Sequence, residues 1–138
     1  MGPYIFDRMD LIDGLGDGNH PAARPVVDLR FGVQCVGLIK TYSKAPRTDL
    51  WQKGPSVVSS PDMRKGTAIA TFDSRNRYPV PGHGNHTCFF LRFVGDGFEV
   101  LEQNEPPNRN MIHRRIIHRR NGRLKPDPYD ASSYWVVL

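Results

Sequence analysis

Cysteine is scarce in this 138-residue chain: Cys35 and Cys88 are the only two. Two thiols cannot build a disulfide-stapled scaffold or a zinc site of four cysteines. They leave structural thiols or one reactive thiol. Long apolar runs are also missing. None approaches the roughly 18 residues a membrane-spanning helix requires, so membrane insertion is not expected. The first residues, "MGPYIFDRMDLIDGLG", carry acids where a signal peptide has a basic region and a long apolar stretch. If the protein acts outside its cell, something other than the general secretory signal carries it. There is no internal repeat and no low-complexity tract. Apolar residues make up 38% and charged residues 24%, enough for a core and too balanced for disorder. Residues 1–138 read as one domain, with 1–27, rich in Gly, Pro and Asp, as an irregular lead-in.

Acids are absent from one stretch. Between Arg109 and Lys125 lie seven Lys/Arg, more than the net charge of +5 of the whole chain. The basic character is therefore one patch. It suits an anionic polymer or an acidic protein partner, or else a solvated strand pair with charged edges.

The remaining pattern is one early helix followed by strands. "FGVQCVGLIKTYSKAP" predicts a helix from a glycine turn to Pro46, with Val36, Ile39 and Lys40, joined by Leu38 and Tyr42, as its stripe. Cys35 falls in its first turn. "TDLWQKG" reads as a short helical turn closed by Gly54. "GTAIATF" and "HTCFFLRF" are β-like. "GDG" turns into "FEVLEQN", and "SYWVVL" makes a last strand. "MIHRRIIHRR" is ambiguous by period, and the Asn121-Gly122 turn after it favours a strand. The order predicts an α+β domain with an antiparallel sheet of about five strands. "CFFLRF" is apolar at successive positions, which predicts a central strand covered on both faces.

A thiol is a nucleophile only as thiolate, and a helix N-terminus and a nearby imidazole both lower its pKa. Cys35 has the first by position. Of five histidines, His20 lies in the lead-in, and His113 and His118 lie among cations that oppose protonation. Of the other two, His83 sits between glycines, where it would shape the loop or touch substrate. His86 begins a rigid strand and is the better-fixed base. A third group should accept from the second ring nitrogen. Glu102 and Asn104, two apart on the partner strand, both qualify, and Gln103 points to the other face. A zinc site from His83, His86, Cys88 and Cys35 is a competing reading, but no standard Cys/His spacing supports it. Cys88 reads as a buried thiol; if it shares a face with His86, as the spacing of two suggests, it could lie near Cys35, and an inhibitory disulfide would then be possible under oxidation.

The stretches "QCVGLIK", "WQKG", "KGTAIATF", "NRYP", "GHGNHTCFFL" and "VLEQN", in that order, resemble the papain-like peptidoglycan hydrolases of the CHAP and NlpC/P60 group. More narrowly they resemble small amidases related to the type VI secretion amidase effectors. The resemblance runs from about Gly32 to the C-terminus. It implies a nucleophilic cysteine on an N-terminal helix packed against a sheet that carries the histidine. By position these are Cys35 and His86, with the Glu-x-Asn of Glu102 and Asn104 on the next strand. It implies a cysteine peptidase or amidase acting on peptidoglycan without metal or cofactor. It also implies delivery by the type VI apparatus into the periplasm of a target bacterium, and a cognate immunity protein. Under that reading the Cys35 N–H donates to an oxyanion, with Gln34 a weaker candidate, and Trp51 lines a groove or joins the core. The same chemistry would suit a housekeeping or phage lysin. A non-catalytic module for nucleic acid is the alternative of another class, supported by the basic patch but by no nucleic-acid motif.

Overall fold

A computed structural model describes residues 2–17, 24–28, 32–78, 84–106, 108–120 and 126–138. The helix is α1, Cys35–Ser43. Gln34, in extended conformation, precedes it, and Lys44 stops it with a left-handed φ of 58°, two residues before Pro46. Leu38 and Ile39 are buried, Val36 and Tyr42 partly so. Lys40 is exposed, which removes it from the expected stripe.

The main sheet is fully antiparallel. Its strands are β3 (Lys53–Ser56), β4 (Ala68–Thr71), β5 (Thr87–Val94), β6 (Gly97–Gln103), β7 (Ile112–Ile117) and β8 (Tyr134–Val137), in the order β3-β8-β4-β5-β6-β7. A separate ribbon pairs β1 (Val27–Asp28) with β2 (Gly32–Val33). The five expected strands are present, and "MIHRRIIHRR" supplies β7. The Asn121-Gly122 turn lies outside the described residues. The sixth strand corrects the reading of "TDLWQKG". Only Thr48–Leu50 form a short 3-10 turn, and the chain from Lys53 pairs with β8. Gly54 serves that pairing, because a Cβ there would stand 2.8 Å from the Val136 carbonyl oxygen. Pro55 is tolerated because β3 is an edge strand.

Both faces of the sheet are covered. On one, α1 and the N-terminal segment pack Leu38, Ile39, Phe6, Ile12 and Leu15 against Phe89, Leu91 and Leu101. On the other, Val57, Ala131 and Tyr134 close over Ile69, Cys88, Phe90 and Val100. Thr87–Leu91 are therefore buried throughout, as expected of a central strand. The lead-in, though irregular in backbone, belongs to the core. Phe6 stacks on Tyr42 at 4.8 Å and meets Phe89 edge-on at 4.9 Å. Among the described residues no helix is long and apolar enough to cross a membrane.

The pairing of β6 with β7 is set tightly at Gly97, where a Cβ would lie 1.8 Å from the Ile117 carbonyl oxygen. Gly97→Ala is expected to cost about 1–3 kcal/mol, as forced overpacking does, measured as a lower urea midpoint at unchanged slope. An unchanged midpoint would contradict this close approach.

Candidate active site

The site begins where α1 begins. The first backbone N–H groups of a helix have no partner within it and carry its positive end. Cys35 is the first helical residue and is half-buried. Its approach is pinned from β6: Gln103 Nε2 donates to the Gln34 carbonyl at 2.8 Å and to the Val26 carbonyl at 3.0 Å, and its Oε1 accepts from Val26 N–H at 2.7 Å. Burial pushes the Cys35 thiol up. The His86 hydrogen bond and charge, with the Thr87 N–H and the Tyr78 hydroxyl, outweigh burial and bring it below its ordinary value. Tyr78 Oη lies 3.9 Å from Sγ. Burial, then the neighbouring Cys35, raise the Tyr78 phenol well above its ordinary value, so its hydroxyl stays protonated.

His86 directly precedes β5 and is 1% exposed. Thr71 on β4 fixes its backbone: the Thr71 hydroxyl accepts from His86 N–H at 3.1 Å and donates to the Gly84 carbonyl at 2.5 Å. Gly84 has φ 80°, and a Cβ there would meet the Pro126 carbonyl oxygen at 2.3 Å, so this turn needs glycine. His86 Nε2 sits 2.7 Å from Glu102 Oε1, and Nδ1 lies 3.4 Å from Glu105 Oε2. Burial alone would lower the ring's pKa. Its hydrogen bonds and charge interactions with Cys35 and Glu102 win and raise it to about 10.

Glu102 is fully buried and takes four hydrogen bonds. Besides His86, Oε2 accepts from His113 Nε2 at 2.6 Å and from Arg115 Nε at 2.7 Å, and Oε1 accepts from Arg115 Nη2 at 2.9 Å. Burial raises a carboxyl's pKa, but here His113, His86 and Arg115 hold Glu102 well below the usual range. The β6–β7 register places Glu102 opposite His113 and Val100 opposite Arg115, so both donors flank the acid on one face.

Of the other candidates, Asn104 follows β6 with a left-handed φ of 64°, and its Oδ1 accepts from Asn110 N–H at 2.8 Å. Gln34 caps α1 and is exposed on its side chain. His83, like His20, lies outside the described residues. Trp51 does not line a groove. It is 5% exposed, donates to the Pro46 carbonyl at 2.9 Å and stacks on Tyr78 at 4.9 Å, because the 3-10 turn before it rolls its ring inward. It acts by backing Tyr78. Cys88 is a buried free thiol, pushed up by burial and then by Glu102, and Cys35 is also free. His86, Cys88 and Glu102 bring ligand atoms within 4.8 Å of one another. Both Glu102 oxygens already face the Arg115 guanidinium, which is a poor neighbour for a cation. The basic stretch is partly paired: Arg115 turns inward to Glu102, while at the surface Arg114 pairs with Asp17 and His118 meets Asp96 at 3.0 Å.

Sequence reasoning missed Tyr78, His113 and Arg115. Tyr78 stood in the quoted "NRYP" without a role. His113 and Arg115 stood in the basic stretch without a role at the site, and only the strand register brings them to Glu102.

The family described as domesticated amidase effector 2 matches residues 21–137. A type VI secretion amidase effector 2 protein of Salmonella typhi is 32% identical over 144 residues, covering 98% of this chain and 98% of that one. A solved structure of a type 6 secretion amidase effector 2 matches with a TM-score of 0.76 at 28% identity, over 99% of this chain and 94% of that one.

A carboxyl whose pKa is depressed on folding adds stability above its unfolded value and loses it as pH falls through the folded value. Glu102 therefore stabilises fully above about pH 4.5, the ordinary value, and progressively less below it. Glu102→Gln is expected to cost on the order of 3 kcal/mol at pH 7, measured by urea unfolding, and the deficit should shrink as pH falls below 4. A deficit independent of pH would contradict an ionised Glu102.

Proposed function

The chain belongs to the domesticated amidase effector 2 family, and on that premise we propose that it is a peptidoglycan amidase whose nucleophile is Cys35 and whose acid–base group is His86. It acts as an antibacterial type VI secretion effector. The observation that carries the residue assignment is geometric: the thiol at the start of α1 is hydrogen-bonded to the buried His86 ring, whose Nε2 is held by Glu102 at 2.7 Å. Such a pair favours thiolate and imidazolium over thiol and imidazole.

The Cys35 thiolate attacks the carbonyl carbon of an amide in the peptide stem or cross-link. The carbonyl electrons move to oxygen. The Cys35 backbone N–H at the helix start is one donor to that oxyanion, and the Tyr78 hydroxyl, protonated and 3.9 Å from Sγ, is the second. Nε2 of His86 is held by Glu102, which leaves Nδ1 to serve the reacting atoms. The imidazolium gives its proton to the leaving nitrogen as the C–N bond breaks, and a thioester remains. Neutral His86 then takes a proton from water, whose oxygen attacks the thioester. Collapse releases the carboxyl product and restores the ion pair. Residues 1–138 act as one catalytic domain, since the N-terminal segment shares the core that seats α1. Delivery places the enzyme in the periplasm of a target bacterium, and a cognate immunity protein blocks the site in the producer.

The test is digestion of purified Gram-negative sacculi by the protein and by Cys35→Ala, with soluble fragments separated and weighed by mass spectrometry. New peptide fragments with the parent alone are expected, and their masses name the bond. Digestion by both proteins would remove Cys35 from the chemistry. Tyr78→Phe should lower kcat by about 100-fold with little change in KM, the usual loss for one oxyanion donor. Activity should persist across neutral pH and fall on the alkaline side near pH 10, where the imidazolium is lost. An alkaline limb near 6.5, the ordinary histidine value, would contradict the pairing.

A further inference from the structure

In the proposed mechanism Glu102 is only the partner of His86. Yet Glu102 gives His86 a single contact, whereas Arg115 holds both of its oxygens, at 2.7 and 2.9 Å. A guanidinium fork that engages both carboxylate oxygens fixes the plane of the acid as well as its charge. Arg115 is itself built in. Its Nη2 reaches the Pro128 carbonyl at 3.3 Å, its guanidinium lies 5.2 Å from the centre of the Tyr129 ring, and its side chain is 18% exposed.

We propose that Arg115 is a positioning residue of the amidase centre: its fork sets the orientation in which Glu102 presents Oε1 to His86. The proposal rests on the assignment of Cys35 and His86 as the reacting pair.

The arrangement explains why a basic stretch carries an inward-facing arginine at this position. His86 and His113 each supply one hydrogen bond, to opposite oxygens, so either ring alone leaves the second oxygen unheld. Rotation of the carboxylate would let it follow either ring. The fork from β7 removes that freedom. His113 cannot replace it, since among the described residues it makes the single Oε2 contact and its Nδ1 is buried with no partner. Among the described residues the charged and titratable groups facing His86 are Cys35 from α1, Cys88 from β5, Glu102 from β6, Glu105 from the turn after β6, and Tyr134 from β8. Tyr78 meets the same thiol. Arg115 and His113 touch the ring only through Glu102.

The experiment compares the parent with Arg115→Met, Glu102→Gln and the double variant. Two quantities are read. One is the rate of iodoacetamide alkylation of Cys35 between pH 5 and 10, followed on the Cys35 peptide by mass spectrometry. The other is kcat and KM on sacculi. Arg115→Met should lose the alkylation of Cys35 near pH 6 and shift its midpoint upward. It should also lower kcat by about 10- to 100-fold at similar KM, the range seen when an orienting partner of a working histidine is removed. In the Glu102→Gln background the same change should add less than about twofold, because a residue that acts through another has nothing left to act on. Arg115→Lys, which keeps the charge and loses the fork, guards against simple misfolding. It should fold and still show most of the defect. An unshifted alkylation profile in Arg115→Met, full activity in Arg115→Lys, or a defect that multiplies unchanged in the Glu102→Gln background would overturn the proposal. The alkylation profile needs no peptidoglycan, so it separates failure of this proposal from failure of the amidase reading.

Discussion

A buried carboxylate governs this centre. Taking an ion of that size out of water costs several kcal/mol even after the protein relaxes. Hydrogen bonds to charged groups return about 1.5–3 kcal/mol each. Glu102 has four, from His86, His113 and the two nitrogens of Arg115. They are enough to keep it ionised in a fully buried position. Its negative charge then makes the imidazolium form of His86 favourable, and the imidazolium makes the Cys35 thiolate favourable. In the proposed mechanism the nucleophile is prepared by a chain of charges of alternating sign that starts on β7, at Arg115.

The fold is arranged to assemble that chain. β6 contributes to both of its faces. Gln103, on the face toward α1, anchors the backbone just before Cys35, while Glu102, one residue earlier, points to the other side. His86 stands at the end of the neighbouring strand, where its ring links the acid to the start of the helix. Thr71 from β4 and the close pass of Gly84 under Pro126 fix its backbone. Tyr78 reaches the thiol with Trp51 stacked on it and Phe72 against its edge. Each group is thus held by at least one neighbouring element of the core.

Local sequence made part of this legible. The helix starting at Cys35 followed from its apolar spacing and from Pro46, and the buried β5 from an unbroken run of apolar residues. His86 stood out from His83 because it opens a strand. Glu102 and Asn104 both qualified because the hairpin at Gly95–Gly97 pairs their strand with that of His86, and the structure places Glu102 against the ring. What stayed hidden depended on non-local pairing. "IHRRIIHRR" has no period that separates inward from outward cations. Only its register against β6 turns His113 and Arg115 to the acid and leaves Arg114 to meet Asp17. Gly54 looked like a helix stop because glycine serves both a turn and a close strand approach. Trp51 could be read as a groove or a core aromatic, and its stacking on Tyr78, 27 positions along the chain, places it in the core.

The most direct measurement is an NMR pH titration of the His86 ring in the intact protein, assigned by comparison with His86→Ala. The account predicts a ring that remains protonated through neutral pH and titrates near 10, together with a Cys35 that loses its proton below the ordinary thiol value. A His86 that loses its proton near 6.5, the value of an ordinary histidine, would contradict it.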